Sequence, residues 1–210
     1  WACPVGNKQP EWQDLLYRGK WREAYMILAE TCDFPEFTGR ICPALCEKSC
    51  VLKLSADEPV TIRENELSII EYGFENDLMQ PMPSAARSDK KVAVVGSGPA
   101  GLTVANRLNH KGYEVTVYEK HELPGGLLRF GIPNFKLSKV VIDRRIRLMR
   151  EEGINFVLNT EIGKDIPAKE QLVEELCQVK GMTSISYSIN QEKTNVIMGK
   201  EIVNLYGPGY

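Results

Sequence analysis

The chain has 210 residues, 43% hydrophobic and 26% charged, with a formal net charge of −2. That length allows one or two domains, and the composition is that of an ordinary globular protein. The near-neutral balance offers no basic field for nucleic acid or an anionic membrane surface, and no apolar run approaches the ~18 residues that span a bilayer.

The first residues, Trp1-Ala2-Cys3-Pro4, lack the basic start and apolar core of a signal peptide. With no initiating Met, the chain is expected to start inside a longer one. Residues 1–80 read as helical. Between 11 and 29, Trp12, Leu15, Leu16, Trp21, Ala24 and Leu28 recur at mostly three- and four-residue spacing, an amphipathic pattern that Gly19 interrupts, giving one helix or two short ones. Thr61-Ile62-Arg63-Glu64 resembles a capping box opening a helix to about Phe74. Residues 80–88 are rich in Pro and Ser and read as a linker.

From Lys91 the pattern changes. Residues 91–95 and 114–118 read as strands, with a helix over 99–111 between them. Residues 137–152 carry apolar side chains at 137, 140, 141, 146, 148 and 149, an amphipathic helix ended by Gly153 and followed by a strand over 154–158. This alternation predicts a parallel, doubly wound sheet.

Between the first strand and helix stands Gly96-Ser97-Gly98-Pro99-Ala100-Gly101, with Glu119 eighteen residues beyond, at the end of the second strand. Gly96 suits a tight turn, Gly98 a close approach of backbone to a pyrophosphate, and Gly101 a helix lying close to its sheet. Phosphates settle on the free amides of such a helix N-terminus. Glu119 is placed to accept hydrogen bonds from a ribose. The combination predicts dinucleotide binding; an ordinary strand-to-helix turn leaves the Glu119 spacing unexplained.

Six cysteines stand at 3, 32, 42, 46, 50 and 177. Cys42, Cys46 and Cys50 follow one another at four-residue intervals, although Pro43 places Cys42 just ahead of any helix. The spacing is neither that of a zinc ribbon nor the common ferredoxin run. Both His residues, His110 and His121, lie in the nucleotide-binding half, which disfavours a Cys/His zinc site. Soft thiolates beside a redox cofactor favour iron–sulfur over zinc. On spacing alone the cysteines are a metal site or buried structural thiols, and their clustering points to a reducing compartment, the cytoplasm.

Together these motifs resemble the small (beta) subunit of bacterial glutamate synthase and the N-terminal module it shares with dihydropyrimidine dehydrogenase. The matching residues are Cys3-Pro4, Gly6-Asn7, Pro10-Glu11-Trp12, Phe34-Pro35-Glu36-Phe37-Thr38-Gly39-Arg40, Cys42-Pro43-Ala44, Cys46-Glu47, Cys50 and Pro59-Val60-Thr61-Ile62. They continue with the glycine turn, Pro124-Gly125-Gly126-Leu127-Leu128 and Gly131-Ile132-Pro133. The resemblance runs over about residues 1–170 and implies an α-helical iron–sulfur N-terminal domain (1–80), a linker (81–90) and an incomplete α/β Rossmann-like FAD-binding domain (91–175), with 176–210 a divergent, unassigned tail.

By the same resemblance, Cys3, Cys42 and Cys46 are ligands of one 4Fe–4S cluster and Glu66 stands where the family has a Glu or Gln as its fourth ligand; a plain surface charge is the alternative for Glu66. Cys50 matches the last ligand of a second cluster whose other ligands lie before Trp1, and Cys32 reads as a structural thiol. Gly96, Gly98, Pro99, Ala100 and Gly101 are implied at the FAD pyrophosphate, Glu119 at the ribose with Lys120 beside it, Gly126 and Leu127 toward the flavin, and Lys136 near the cofactor. No side chain is expected to act as acid, base or nucleophile.

The implied function is an electron-transfer subunit that passes electrons from NADPH through FAD and 4Fe–4S clusters to a large (alpha) glutamate synthase subunit. No second glycine-rich motif follows, so NADPH binding is expected only of a longer protein, and the fragment alone is not expected to be competent. The alternatives are a pyrimidine dehydrogenase-like or ferredoxin–NADP oxidoreductase module, or a truncated docking fragment without catalysis.

Overall fold

A computed structural model describes residues 2–82, 84, 86–165, 170, 173–174, 177–178, 185–189 and 201–208. Residues 1–159 form one compact unit and 160–210 another.

In the first unit the 11–29 stretch divides into α1 (Gln9–Tyr17) and α2 (Trp21–Ala29), because Gly19 takes φ +71° between them. Pro10 sits in the first turn of α1, where its missing N–H costs nothing. Then come α3 (Pro35–Ile41), α4 (Leu45–Lys48), a 3-10 turn (Val51–Leu54) and α5 (Ile62–Glu75). Trp12, Ala24, Leu28, Cys32, Ile62 and Ile69 form their core. Trp21 stacks on Tyr72 with ring centroids 4.3 Å apart.

Helix α5 starts where the sequence places it, but not by a capping box. Thr61 is the N-cap residue and its side chain makes no capping hydrogen bond. The Arg63 amide donates instead to Glu47 Oε1 at 2.8 Å. A carboxylate from α4 thus serves a first-turn amide and the positive end of the helix dipole. This cap binds the cysteine segment to α5.

The second half runs β1 (Lys91–Val95), α6 (Pro99–His110), β2 (Glu114–Tyr118), α7 (Leu127–Phe130), α8 (Lys139–Glu151) and β3 (Asn155–Val157). The strands form one sheet in the order β1-β2-β3, parallel throughout, with Val94 opposite Val117 and Tyr118 opposite Val157. Parallel neighbours require crossovers, and α6 and α8 supply them. The expected helical domain followed by an incomplete Rossmann-like sheet is what the chain forms.

Phe34, the N-cap residue of α3, and Phe37 within it lie in the same buried cluster as Val94, Leu102, Val117, Ile142 and Met149, so the helical part and the sheet share a core. The segment between them is fastened: Arg87 donates to Asn109 Oδ1 at 2.6 Å and to the Glu152 carbonyl at 2.7 Å. On α8 the buried stripe differs from expectation, and Ile142 belongs to it. Val140 is 73% exposed, while Arg145 is buried.

In the second unit, β4 (Ile185–Ile189) and β5 (Glu201–Tyr206) pair antiparallel.

Candidate functional site

The glycine turn begins where β1 ends. The Gly96 amide donates to the Tyr118 carbonyl at 2.8 Å, closing the sheet. Gly98 is the N-cap of α6 and Pro99 its first residue. A Cβ on Gly101 would collide with the Gly96 carbonyl, whereas one on Gly98 would meet nothing within 4 Å. The turn is therefore packed shut against the sheet and open over Gly98. Pro99 and Ala100 are exposed beside the opening, and the first-turn amides of Ala100 and Gly101 have no intrahelical acceptor.

Ser97, fully buried, ties three segments together. Its amide and hydroxyl donate to Glu119 Oε2 at 2.9 and 2.5 Å, and its hydroxyl accepts from the Gly125 amide at 2.9 Å. Glu119 Oε1 accepts from the His121 amide at 3.0 Å. Burial works against the Glu119 charge, but the Ser97 hydroxyl and amide and the His121 amide together hold its carboxyl below the ordinary range. Glu119 braces the turn, with two donors on Oε2 and one on Oε1.

Gly126 adopts φ +50° and ψ −130°, and a Cβ there would lie 2.8 Å from the Gly98 Cα. The 124–128 loop can close on the glycine turn only because that position has no side chain. Leu127, 74% exposed, follows directly. Lys120 and Lys136 are exposed side chains.

The cysteines are all free thiols. They do not share one helical face: Cys42 is the extended C-cap of α3, Ala44 turns the chain through a left-handed conformation, Cys46 lies on α4, and Cys50 precedes the 3-10 turn. Cys3, Cys46 and Cys50, with Asn7 and Ile62, line a cavity of about 430 Å³. Cys42 and Glu66 are not in that lining, yet their charges act on Cys46: burial first, then Glu66 and Cys42, push its thiol up, while the Glu47 amide opposes. Cys177 is exposed in the second unit.

Glu66 is 7% exposed, which removes the surface-charge alternative. Burial pushes its carboxyl up to about 7, against the pull of the Thr38 hydroxyl and the Asn7 amide. Cys32 is buried, with Sγ 3.2 Å from Thr38 Oγ1, and burial pushes its thiol up to about 12, as suits a structural thiol.

Among the described residues no three His, Cys, Asp or Glu side chains converge to hold a single metal ion. An iron–sulfur cluster gives each iron its own ligand, so its donors stand apart around a volume. Partly exposed free thiols around a cavity, beside a buried carboxylate whose partners are neutral, fit such a group. The open space over Gly98 at a helix N-terminus likewise fits a dinucleotide.

Two side chains central to this site were given no role of their own in the sequence reading. Ser97 hides within a motif read for its glycines, and Asn7 acts on Glu66, which is 59 residues away. A polar residue between two turn glycines is the only local signal for the first; the second has none.

Residues 1–78 match the family described as dihydropyrimidine dehydrogenase domain II, 4Fe-4S cluster. Residues 94–152 match the NAD(P)-binding Rossmann-like domain. The chain is 56% identical over 169 residues to the glutamate synthase (NADPH) small chain of Bacillus subtilis (strain 168), covering 80% of this chain and 34% of that protein. It is 50% identical over 169 residues to the corresponding small chain of Mycobacterium tuberculosis (strain ATCC 25618 / H37Rv), with the same coverage. It is 49% identical over 169 residues to the glutamate synthase (NADH) of Saccharomyces cerevisiae (strain ATCC 204508 / S288c), covering 80% of this chain and 8% of that one. The chain thus spans about a third of the length of the small chains it matches. No helix among the described residues is long and apolar enough to cross a membrane. Over four-fifths of its length this chain is similar to about a third of the glutamate synthase small chains, as a homologue of that part of them.

Proposed function

We propose that this chain is the cofactor-holding part of an NADPH-dependent oxidoreductase subunit of glutamate synthase type. The whole protein would pass electrons from NADPH through FAD and 4Fe–4S clusters to a large subunit for glutamate synthesis, in the cytoplasm. One observation carries this reading: an open glycine turn and a thiol-lined cavity occur within a single compact unit, 1–159.

When bound, FAD supplies hydride acceptance and the clusters supply one-electron transfer. The residues of this chain hold and tune. Gly96, Gly98, Pro99, Ala100 and Gly101 present backbone to a pyrophosphate, and Glu119 offers its carboxylate to a ribose. Gly126 and Leu127 border the same turn toward the flavin, while Lys120 and Lys136 add positive charge near it. Cys3, Cys42, Cys46 and Glu66 hold one cluster, and Cys50 contributes to a second. No acid–base step is assigned to any side chain.

Anaerobic purification of the chain, with reconstitution by iron and sulfide and measurement of bound iron, sulfide and flavin, tests the reading. Bound iron and flavin support it. A folded, colourless chain after reconstitution overturns it in favour of a docking role. A pyrimidine-reducing module would use the same site, and the acceptor protein that oxidises the reduced chain distinguishes the two.

A further inference from the structure

We propose that Asn7 is the positioning residue of the iron–sulfur site: it sets the direction in which Glu66 offers oxygen to the thiols. The inference rests on the reading of Cys3, Cys42, Cys46 and Glu66 as ligands.

Asn7 Nδ2 donates to Glu66 Oε1 at 2.7 Å. Asn7 Oδ1 accepts from Trp12 Nε1 at 3.2 Å and from Thr31 Oγ1 at 3.1 Å. The orientation of this amide is not free. An indole N–H can only donate, so the amide oxygen faces Trp12 and the NH₂ faces Glu66. Trp12 is fully buried in the helical core, and its rigidity passes to Asn7. Asn7 is itself 8% exposed and lies in the wall of the cavity that Cys3, Cys46 and Cys50 line.

A Glu side chain has several rotatable bonds, and burial alone does not choose among its rotamers. The Asn7 donor anchors Oε1, and the Thr38 hydroxyl also acts on this carboxyl, so the two together narrow its rotamers. Hydrogen-bonding partners behind a ligand typically change metal affinity 10–100-fold when removed.

The test compares two variants that share the same residue at position 66 and differ at position 7, where one carries the neutral Asn7 amide and the other a carboxylate. In Glu66→Gln, the Asn7 N–H takes the new amide's oxygen, and the NH₂, which has no lone pair to give, occupies the second place. In the double variant Asn7→Asp/Glu66→Gln, the carboxylate introduced at position 7 accepts from that NH₂, and the amide oxygen is returned to the thiols. The position-66 side chain is the same neutral amide in both, and circular dichroism of the iron-free chains checks that they fold alike. After anaerobic reconstitution, iron affinity, the electron paramagnetic resonance spectrum of the reduced protein and its midpoint potential are measured. Glu66→Gln alone should lose iron relative to wild type, and the double variant should recover iron binding. Equal iron and identical spectra in the two variants overturn the positioning role while leaving the cluster reading intact. A wild-type chain that takes up no iron overturns both.

Discussion

Glu36 on α3 and Arg145 on α8 form a bidentate ion pair, with Nε–Oε1 at 2.5 Å and Nη2–Oε2 at 3.1 Å, their side chains 0% and 4% exposed. The pair joins the helical part to the sheet part through their common core. Arg145 also faces the rings of Phe34 and Phe74, at 5.3 and 5.5 Å. Burial disfavours the guanidinium charge, but Glu36 more than offsets it and raises the Arg145 pKa. Beside it, Glu71 on α5 accepts from Arg144 at 2.7 Å and Arg40 at 3.0 Å.

Breaking this pair from one side leaves an uncompensated buried charge. Glu36→Gln or Arg145→Met should each lower unfolding free energy by about 3–5 kcal/mol, read from urea denaturation. Replacing both, as Glu36→Leu/Arg145→Met, should cost far less than the two single losses added together. Simple additivity would show that the two groups do not stabilise one another.

Gly98 separates fold from ligand. Because a Cβ there meets nothing within 4 Å, Gly98→Val should unfold at nearly the wild-type denaturant midpoint. The added side chain occupies the space where backbone would meet a pyrophosphate, so retained flavin should fall to background. Undiminished flavin in the variant would remove this turn from the cofactor site.

Glu119 predicts an acid limb. Its carboxyl is held below the ordinary 4.5, so on acidification the unfolded chain binds that proton before the folded one. The stability it contributes is fully present above pH 4.5 and is lost as pH falls through the folded value. In Glu119→Gln the amide NH₂ faces the Ser97 or His121 donors, which should cost about 1–3 kcal/mol at neutral pH and flatten that limb. A variant with the wild-type acid profile would refute the assignment.

The thiols should differ in reactivity. Cys32, with its thiol pushed up to about 12 and 8% exposed, should escape alkylation by iodoacetamide at pH 8 in the folded, iron-free chain, because the thiolate is the nucleophile. Cys177, which is exposed, should be alkylated. Peptide mass spectrometry reads both, and equal labelling would contradict the buried environment of Cys32.

Much of the architecture was legible in the chain because its signals are local. The glycine turn, the strand pattern of 91–95 and 114–118, and the helical spacing of 11–29 each depend on neighbours a few residues away. Gly19 left one helix or two undecided until its positive φ divided them. The cysteine segment was partly legible as shape: Pro43 already places Cys42 ahead of the helix, whereas the left-handed Ala44 and the 3-10 turn after Cys50 had no such signal.

The sequence by itself determined that a glycine-rich strand-to-helix turn follows a cluster of thiols, since spacing and residue type suffice for that. Tertiary structure alone decided which groups face one another. Glu36 finds Arg145 across 109 residues, Asn7 finds Glu66 across 59, and Glu47 rather than Thr61 caps α5. The physical reason is common to all three. A polar group withdrawn from water must find a partner, and the groups within reach are set by how helices and sheet share a core, not by position along the chain.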